Sequence, residues 1–192
     1  MSVVASATPT AAPVGRSVAC TWGSTLEERE APFPCDPYLA DADEALFRAV
    51  DVDAPPPVVF RWLCQLKVAP YSYDWLDNLG RQSPRRLTPG LDQLAVGQRL
   101  MSSFMLVAFE RDRHLTVITK APAPEALFGQ FAVSYAVLPR GEARSRLVVK
   151  LLLRYAPGPL GWACRWFLPW GDLIMMRKQL LTLKDLAEAT TR

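Results

Sequence analysis

Several chemistries are closed to this chain by what it has little of. His114 is the sole histidine among 192 residues, so no multi-histidine metal site can be assembled. The four cysteines, Cys20, Cys35, Cys64 and Cys164, form no C-x-x-C pair and have no histidine near them in sequence. They read as free thiols in a reducing compartment rather than zinc ligands or a redox pair. No G-x-S-x-G elbow is present to seat a serine nucleophile. No apolar run approaches the roughly 18 residues of a membrane span. The stretch from Met1 to Thr10 has neither a charged start nor an unbroken apolar core, so it makes a poor secretory signal and the cytoplasm is the expected location. The net charge of +3 is too small for a surface that tracks phosphates, and no nucleic-acid partner is expected. Neither a metal nor a cofactor is indicated.

What is present is an ordinary globular balance, 50% hydrophobic and 21% charged residues, enough for one domain with an appendage. Residues 1–42 are rich in Ala, Pro, Ser and Thr, with an acidic cluster at Glu27, Glu28 and Glu30 and the run Pro32-Phe-Pro-Cys-Asp-Pro37. Proline at that density predicts a flexible or loosely docked arm. The alternative is a strap laid over the domain, anchored by Trp22, Phe33 and Tyr38. The domain proper is expected over 43–192.

Leu46 to Val52 alternates as an edge strand, and the prolines after Asp53 open a helix whose apolar face is Val58, Val59, Trp62, Leu63 and Leu66. A second short helix is expected from Asp74 to Leu79, stopped by Gly80. The period then changes to two. Strands are predicted at Gln98–Glu110, His114–Lys120, Gly129–Leu138 and Arg144–Tyr155. In the last of these Leu147, Val149, Leu151, Leu153 and Tyr155 share one face, and Arg144, Arg146, Lys150 and Arg154 the other, which predicts a basic face turned to water. After Pro157-Gly-Pro159 and an aromatic passage from Leu160 to Trp170, a helix from about Gly171 to Glu188 carries a buried stripe of Leu173, Met176, Leu180, Leu183 and Ala187. The reading is α+β: a curved antiparallel β-sheet wrapped around a long C-terminal α-helix, with an internal hydrophobic cavity.

The opening strand with Asp53-Ala-Pro-Pro-Pro57-Val-Val-Phe60, the segment Tyr71-Ser-Tyr-Asp-Trp-Leu-Asp-Asn78, Leu94-Ala-Val-Gly97 before a strand, and the closing Met175-Met-Arg-Lys-Gln-Leu180 together resemble the START-related, Bet v 1-like SRPBCC superfamily, of the polyketide cyclase/dehydrase type. The resemblance runs from about Leu46 to Glu188 and implies the helix-grip fold. Members bind lipids, sterols, hormones or polyketides, and some cyclise polyketide chains, with no universal catalytic motif. It implies a hydrophobic small-molecule partner, polyketide-like or lipid-like.

A binding cavity needs apolar walls and a few polar groups, and Trp62, Tyr71, Tyr73, Trp75, Phe104, Phe131, Tyr135, Trp166 and Met176 are the candidate wall residues, each also fit for plain core packing. Ring closure needs in addition a group that moves a proton, for which Tyr71, Tyr73, Asp74, His114, Tyr135 and Glu110 are the candidates. Asp74 is equally suited to cap its helix, and His114 and Glu110 to a solvated hairpin. The segment Trp162-Ala-Cys-Arg-Trp166-Phe-Leu-Pro-Trp170 admits four roles: lid, core, contact surface of a homodimer, or membrane contact. Pro169 is expected to break it.

Overall fold

Alternation builds the sheet and the computed structural model shows what it grips; residues 12–15, 17–77, 80–101, 103–120 and 129–191 are described. In chain order the elements are α1 (Val18–Thr21), α2 (Leu26–Glu30), β1 (Glu44–Val52), α3 (Pro56–Cys64), α4 (Asp74–Asp77), β2 (Arg99–Leu100), β3 (Phe104–Glu110), β4 (His114–Thr119), β5 (Gln130–Pro139), β6 (Ser145–Arg154) and α5 (Pro159–Thr190). The strands form one antiparallel sheet in the order β1-β6-β5-β4-β3-β2. The inner face, with Leu46, Val50, Leu147, Val149, Val133, Val117 and Leu106, packs with α3 and the stripe Met176, Leu180, Leu183 and Ala187 of α5 into the main core. This is the helix-grip α+β fold. Among the described residues no helix is long and apolar enough to cross a membrane.

Three expectations change. The strand expected over Gln98–Glu110 is interrupted: Met101 takes a φ of 46°, a left-handed conformation no strand accommodates, and separates β2 from β3. The break expected at Pro169 does not occur, and α5 runs unbroken for 32 residues. Proline removes one backbone hydrogen bond from the helix. Here the residue is buried against β1, where Arg48 Nη2 donates to its carbonyl at 3.3 Å, and this packing holds the turn helical. Of the short helix expected from Asp74 to Leu79, the part at 78–79 lies outside the described residues.

The third change concerns the basic face of β6. Arg146 and Lys150 are buried, because the segment after Ser17 lies across the outer face of the sheet. Phe33, Cys35 and Leu39 settle on a floor of Ala45, Ala49, Ala132, Ala136, Val148 and Leu152, whose small side chains let the segment approach closely. The described part of the arm thus takes the form of a strap. Phe33 is buried, Trp22 packs on the main core, and Tyr38 stays exposed while donating its hydroxyl to the Val107 carbonyl. The strap also covers the free edge of β1, since Ala45 N donates to Pro13 O at 2.9 Å and Ala49 N to Trp22 O at 3.1 Å. Gly23 permits this approach: its φ is +75° and a Cβ there would lie 2.1 Å from the Ala49 carbonyl oxygen.

Candidate functional site

A cavity of about 620 Å³ lies between the inner face of the sheet and α5. That is within the roughly 300 to 1,000 Å³ of small-molecule sites. Its apolar walls come from four directions: Val68, Ala69 and Pro70 after α3, Met101 and Phe104 at the β2–β3 turn, Phe131, Val133 and Leu151 on β5 and β6, and Met175 and Met176 on α5. The polar lining is Lys67, Ser72, Arg99, Ser103, Tyr135, Asp172 and Gln179.

Two polar groupings lie inside the fold. On β1, alternation points Arg48 to the same face as Leu46 and Val50, so its guanidinium is only 1% exposed. It donates from Nη2 to Asp172 Oδ2 at 2.7 Å and from Nη1 to the Phe47 carbonyl at 2.8 Å. Burial lifts the Asp172 carboxyl to about 6, and the nearby Arg48 charge and hydrogen bond offset only part of that rise. The second grouping joins β5 to α5. The Tyr135 hydroxyl donates to Gln179 Oε1 at 2.9 Å, and Gln179 Nε2 donates to the Pro70 carbonyl at 2.6 Å. Burial raises the Tyr135 phenol well above its ordinary range, and the charge of Asp172 adds to the rise, so the phenol stays protonated. The cavity therefore presents a carboxyl whose pKa burial raises to about 6 and a phenol whose pKa burial raises further above its ordinary range.

Of the residues singled out from sequence, Phe104, Phe131, Tyr135 and Met176 line this cavity. Trp62 does not; it is buried in the core beside Tyr71, with its indole N–H on Thr190 Oγ1 at 3.0 Å. Tyr71 is buried behind the wall at a φ of 57°, its hydroxyl without a hydrogen-bond partner among the described residues and its pKa raised to about 12, by burial first and then by the charge of Asp74. Tyr73 is half-buried and not on the cavity wall. Asp74 accepts hydrogen bonds from Ser83 N at 2.9 Å and Ser83 Oγ at 2.5 Å, which pins the loop after α4.

Trp75 and Trp166 are corrections. They are 74% and 66% exposed and line no part of the cavity. Trp166 belongs to an outward apolar surface of α5 with Trp162, Phe167, Trp170 and Ile174. His114 is a further correction. It lies on the other side of the sheet, in a groove between the strap and the β4–β5 end, with Glu110. Glu110 itself pairs with Arg113 at the surface. Burial lowers the His114 pKa, against the opposing charge of Glu110.

Arg48, Asp172 and Gln179 went unnoticed in the sequence, yet each left a signal there. Arg48 is a cation at an inward position of an apolar alternation. Gln179 sits between Met176 and Leu183 on the buried stripe, and Asp172 lies one turn before Met176 on the cavity side. A polar group on an apolar face is that signal.

No family model matches the chain, and no curated protein matches it. Among solved structures, the Zhui aromatase/cyclase from Streptomyces sp. R1128 superposes with a TM-score of 0.51 at 16% identity, over 77% of this chain and 95% of that one. A protein from Mesorhizobium loti is similar at a TM-score of 0.48 and 16% identity, over 76% of this chain and 98% of its own. The di-domain ARO/CYC BexL from the BE-7585A biosynthetic pathway is similar at 0.47 and 17%, over 75% of this chain and 50% of that one. The chain shares with the Streptomyces structure the helix-grip fold that its sequence resembles.

Proposed function

We propose that the protein binds a hydrophobic small molecule of polyketide-like chemistry in the cavity beneath α5 and promotes its ring closure there. The observation that carries this reading is the meeting, in one apolar cavity of about 620 Å³, of a carboxyl whose pKa lies at about 6 with a buried phenol and amide. The fold shared with an aromatase/cyclase supports it by analogy.

The chemistry asks little else. A methylene flanked by two carbonyls gives up a proton to the Asp172 carboxylate, and the electron pair left on carbon attacks a carbonyl carbon of the same chain. One carbon–carbon bond forms, and the new alkoxide takes a proton back from Asp172. Nothing is oxidised or reduced. The apolar walls supply the folded conformation, and such positioning is worth on the order of 7–11 kcal/mol in favourable cases. Proton transfer by a placed side chain adds roughly a hundredfold to ten-thousandfold.

The test is native mass spectrometry of protein purified gently from its own host, with extraction of any released molecule, followed by incubation with a linear poly-β-ketone. A retained cyclised compound, and ring closure faster than in buffer, are the expected results. Turnover no faster than background would overturn the catalytic part, and a protein that neither retains nor binds any apolar compound would overturn the whole.

The second reading, a non-catalytic carrier of lipid-like ligands, is favoured by one observation, the exposed Trp162, Trp166, Phe167 and Trp170. Liposome flotation of the protein and of a Trp166→Ala, Trp170→Ala variant tests it; indifference of both to lipid removes it.

A further inference from the structure

Charge inside the fold is almost everywhere matched. Arg48 meets Asp172, Arg146 meets Glu28 and Asp51, and Lys150 meets Asp36. The cavity wall breaks this habit at one end. Lys67, at the close of the turn after α3, donates to the carbonyls of Leu91 at 3.2 Å and Gln93 at 3.0 Å, but has no carboxylate partner among the described residues. An ammonium has three donors, so one remains. Arg99, on β2, lines the same cavity, and its guanidinium makes no hydrogen bond or ion pair among the described residues. The two segments are tied together by the bond from Met101 N to Leu66 O at 3.0 Å, which keeps both cations at one end. Among the described residues one carboxylate lies on the wall, Asp172, and it is paired with Arg48. It lies seven residues from Gln179 on α5, about 10 Å along the helix axis at 1.5 Å per residue. Gln179 itself touches Pro70 and Met101, beside the cationic end.

We propose that Lys67 and Arg99 form an anion subsite, so that the ligand is an amphiphile: an apolar body along the cavity and a carboxylate-type or phosphate-type group held at the Lys67–Arg99 end. This rests on the reading of the cavity as a ligand site. It adds an orientation, because a ligand anchored at one end presents the atoms about 10 Å further on to Asp172. Both cations are half-buried or exposed, so their attraction is felt through solvent and weakens with salt. The guanidinium fork suits either anion.

The experiment compares dodecanoic acid, its methyl ester and dodecyl phosphate, by displacement of a cavity-bound fluorescent hydrophobe at low and high salt. The expected result is at least tenfold tighter binding of an anionic probe than of the ester at low salt, shrinking as salt rises. Which of the two anions binds tighter assigns the head group. Arg99→Gln cuts the advantage of the anions over the ester severalfold, and Lys67→Gln with Arg99→Gln abolishes it, with folding of both variants read separately by thermal unfolding. Equal binding of acid, phosphate and ester by the unaltered protein overturns the subsite but leaves the apolar cavity standing, as does an advantage that survives in the double variant. Binding of none of the three overturns both.

Discussion

The two faces of the sheet each bury an ion pair, and the pairs behave in opposite ways. On the outer face Arg146 grips Glu28 through two hydrogen bonds, Nε to Oε1 at 2.8 Å and Nη2 to Oε2 at 3.1 Å. Glu28 also closes a capping box with Thr25 at the start of α2. Burial alone would raise its pKa, but the hydrogen bonds from Arg146 and the Thr25 backbone outweigh it, and the carboxyl ends below its ordinary value. On the inner face Asp172 receives a single hydrogen bond from Arg48, and burial wins. Donors saturate one carboxylate and lock its charge; the other is undersupplied and free to exchange a proton. The first arrangement fastens a strap, whereas the second suits chemistry.

Breaking the outer pair gives the largest effect. Arg146→Ala leaves Glu28 buried without its partner, and such deletions cost about 3–5 kcal/mol. Urea melts of this variant are expected to show that loss, with affinity for a cavity ligand unchanged. Phe33→Ala removes the main apolar anchor of the strap, which packs edge-on against Phe47 at 5.9 Å and under Lys150 at 5.5 Å. A loss of about 3 kcal/mol is expected. Limited proteolysis is then expected to cut the strap between α2 and β1 before it attacks the sheet. Equal resistance of variant and wild type would mean the strap does not depend on this contact.

The same contrast explains how much could be read in advance. The sheet, the grip of the last helix and the buried stripe on α5 follow from local periods, which sequence carries directly. The strap does not, because prolines at positions 32, 34 and 37 suppress regular structure, and docking against a distant sheet is a non-local event. One signal was available. The outward positions of β6 alternate as Arg146, Val148, Lys150 and Leu152, and the two aliphatic side chains ask for cover that a solvated face does not need. The aromatic candidates were a mixed set for a related reason. Residue type says that a side chain is large and apolar, and the sequence around Trp75 and Trp166 does not tell which way the chain turns there. Both are exposed, whereas Phe104 and Phe131 sit on strands whose alternation assigns a face.

The third prediction bears on the inner pair. Asp172→Asn keeps an oxygen to accept from Arg48 and removes the exchangeable proton. Ring closure of a linear poly-β-ketone is expected to slow by roughly a hundredfold or more, with ligand affinity nearly unchanged. A parallel fall in affinity would assign Asp172 to binding. Tyr135→Phe keeps the ring and deletes the hydroxyl that holds Gln179. The buried amide oxygen loses its donor, so a loss of about 1–3 kcal/mol in stability is expected, read by thermal or urea unfolding.

The smallest effect is the most diagnostic, because the two carboxyls are linked to folding with opposite signs. The folded pKa of Asp172, about 6, lies above its ordinary 3.8, so its stabilising contribution is complete below about 4 and disappears as pH rises through 6. The folded pKa of Glu28 lies below its ordinary 4.5, so its contribution is present above that value and disappears as pH falls through the folded pKa. Unfolding free energies of wild type, Asp172→Asn and Glu28→Gln measured between pH 3 and 7.5 separate the two. Relative to Asp172→Asn, the wild type is expected to lose stability as pH climbs from about 4 to 6. Relative to Glu28→Gln, it is expected to gain stability as pH climbs toward 4.5 and then to hold a constant advantage. If both differences moved the same way with pH, both pairs would be plain structural fasteners and Asp172 would forfeit its distinct role in the cavity. Opposite slopes would mark the inner carboxyl as the one held ready for a proton.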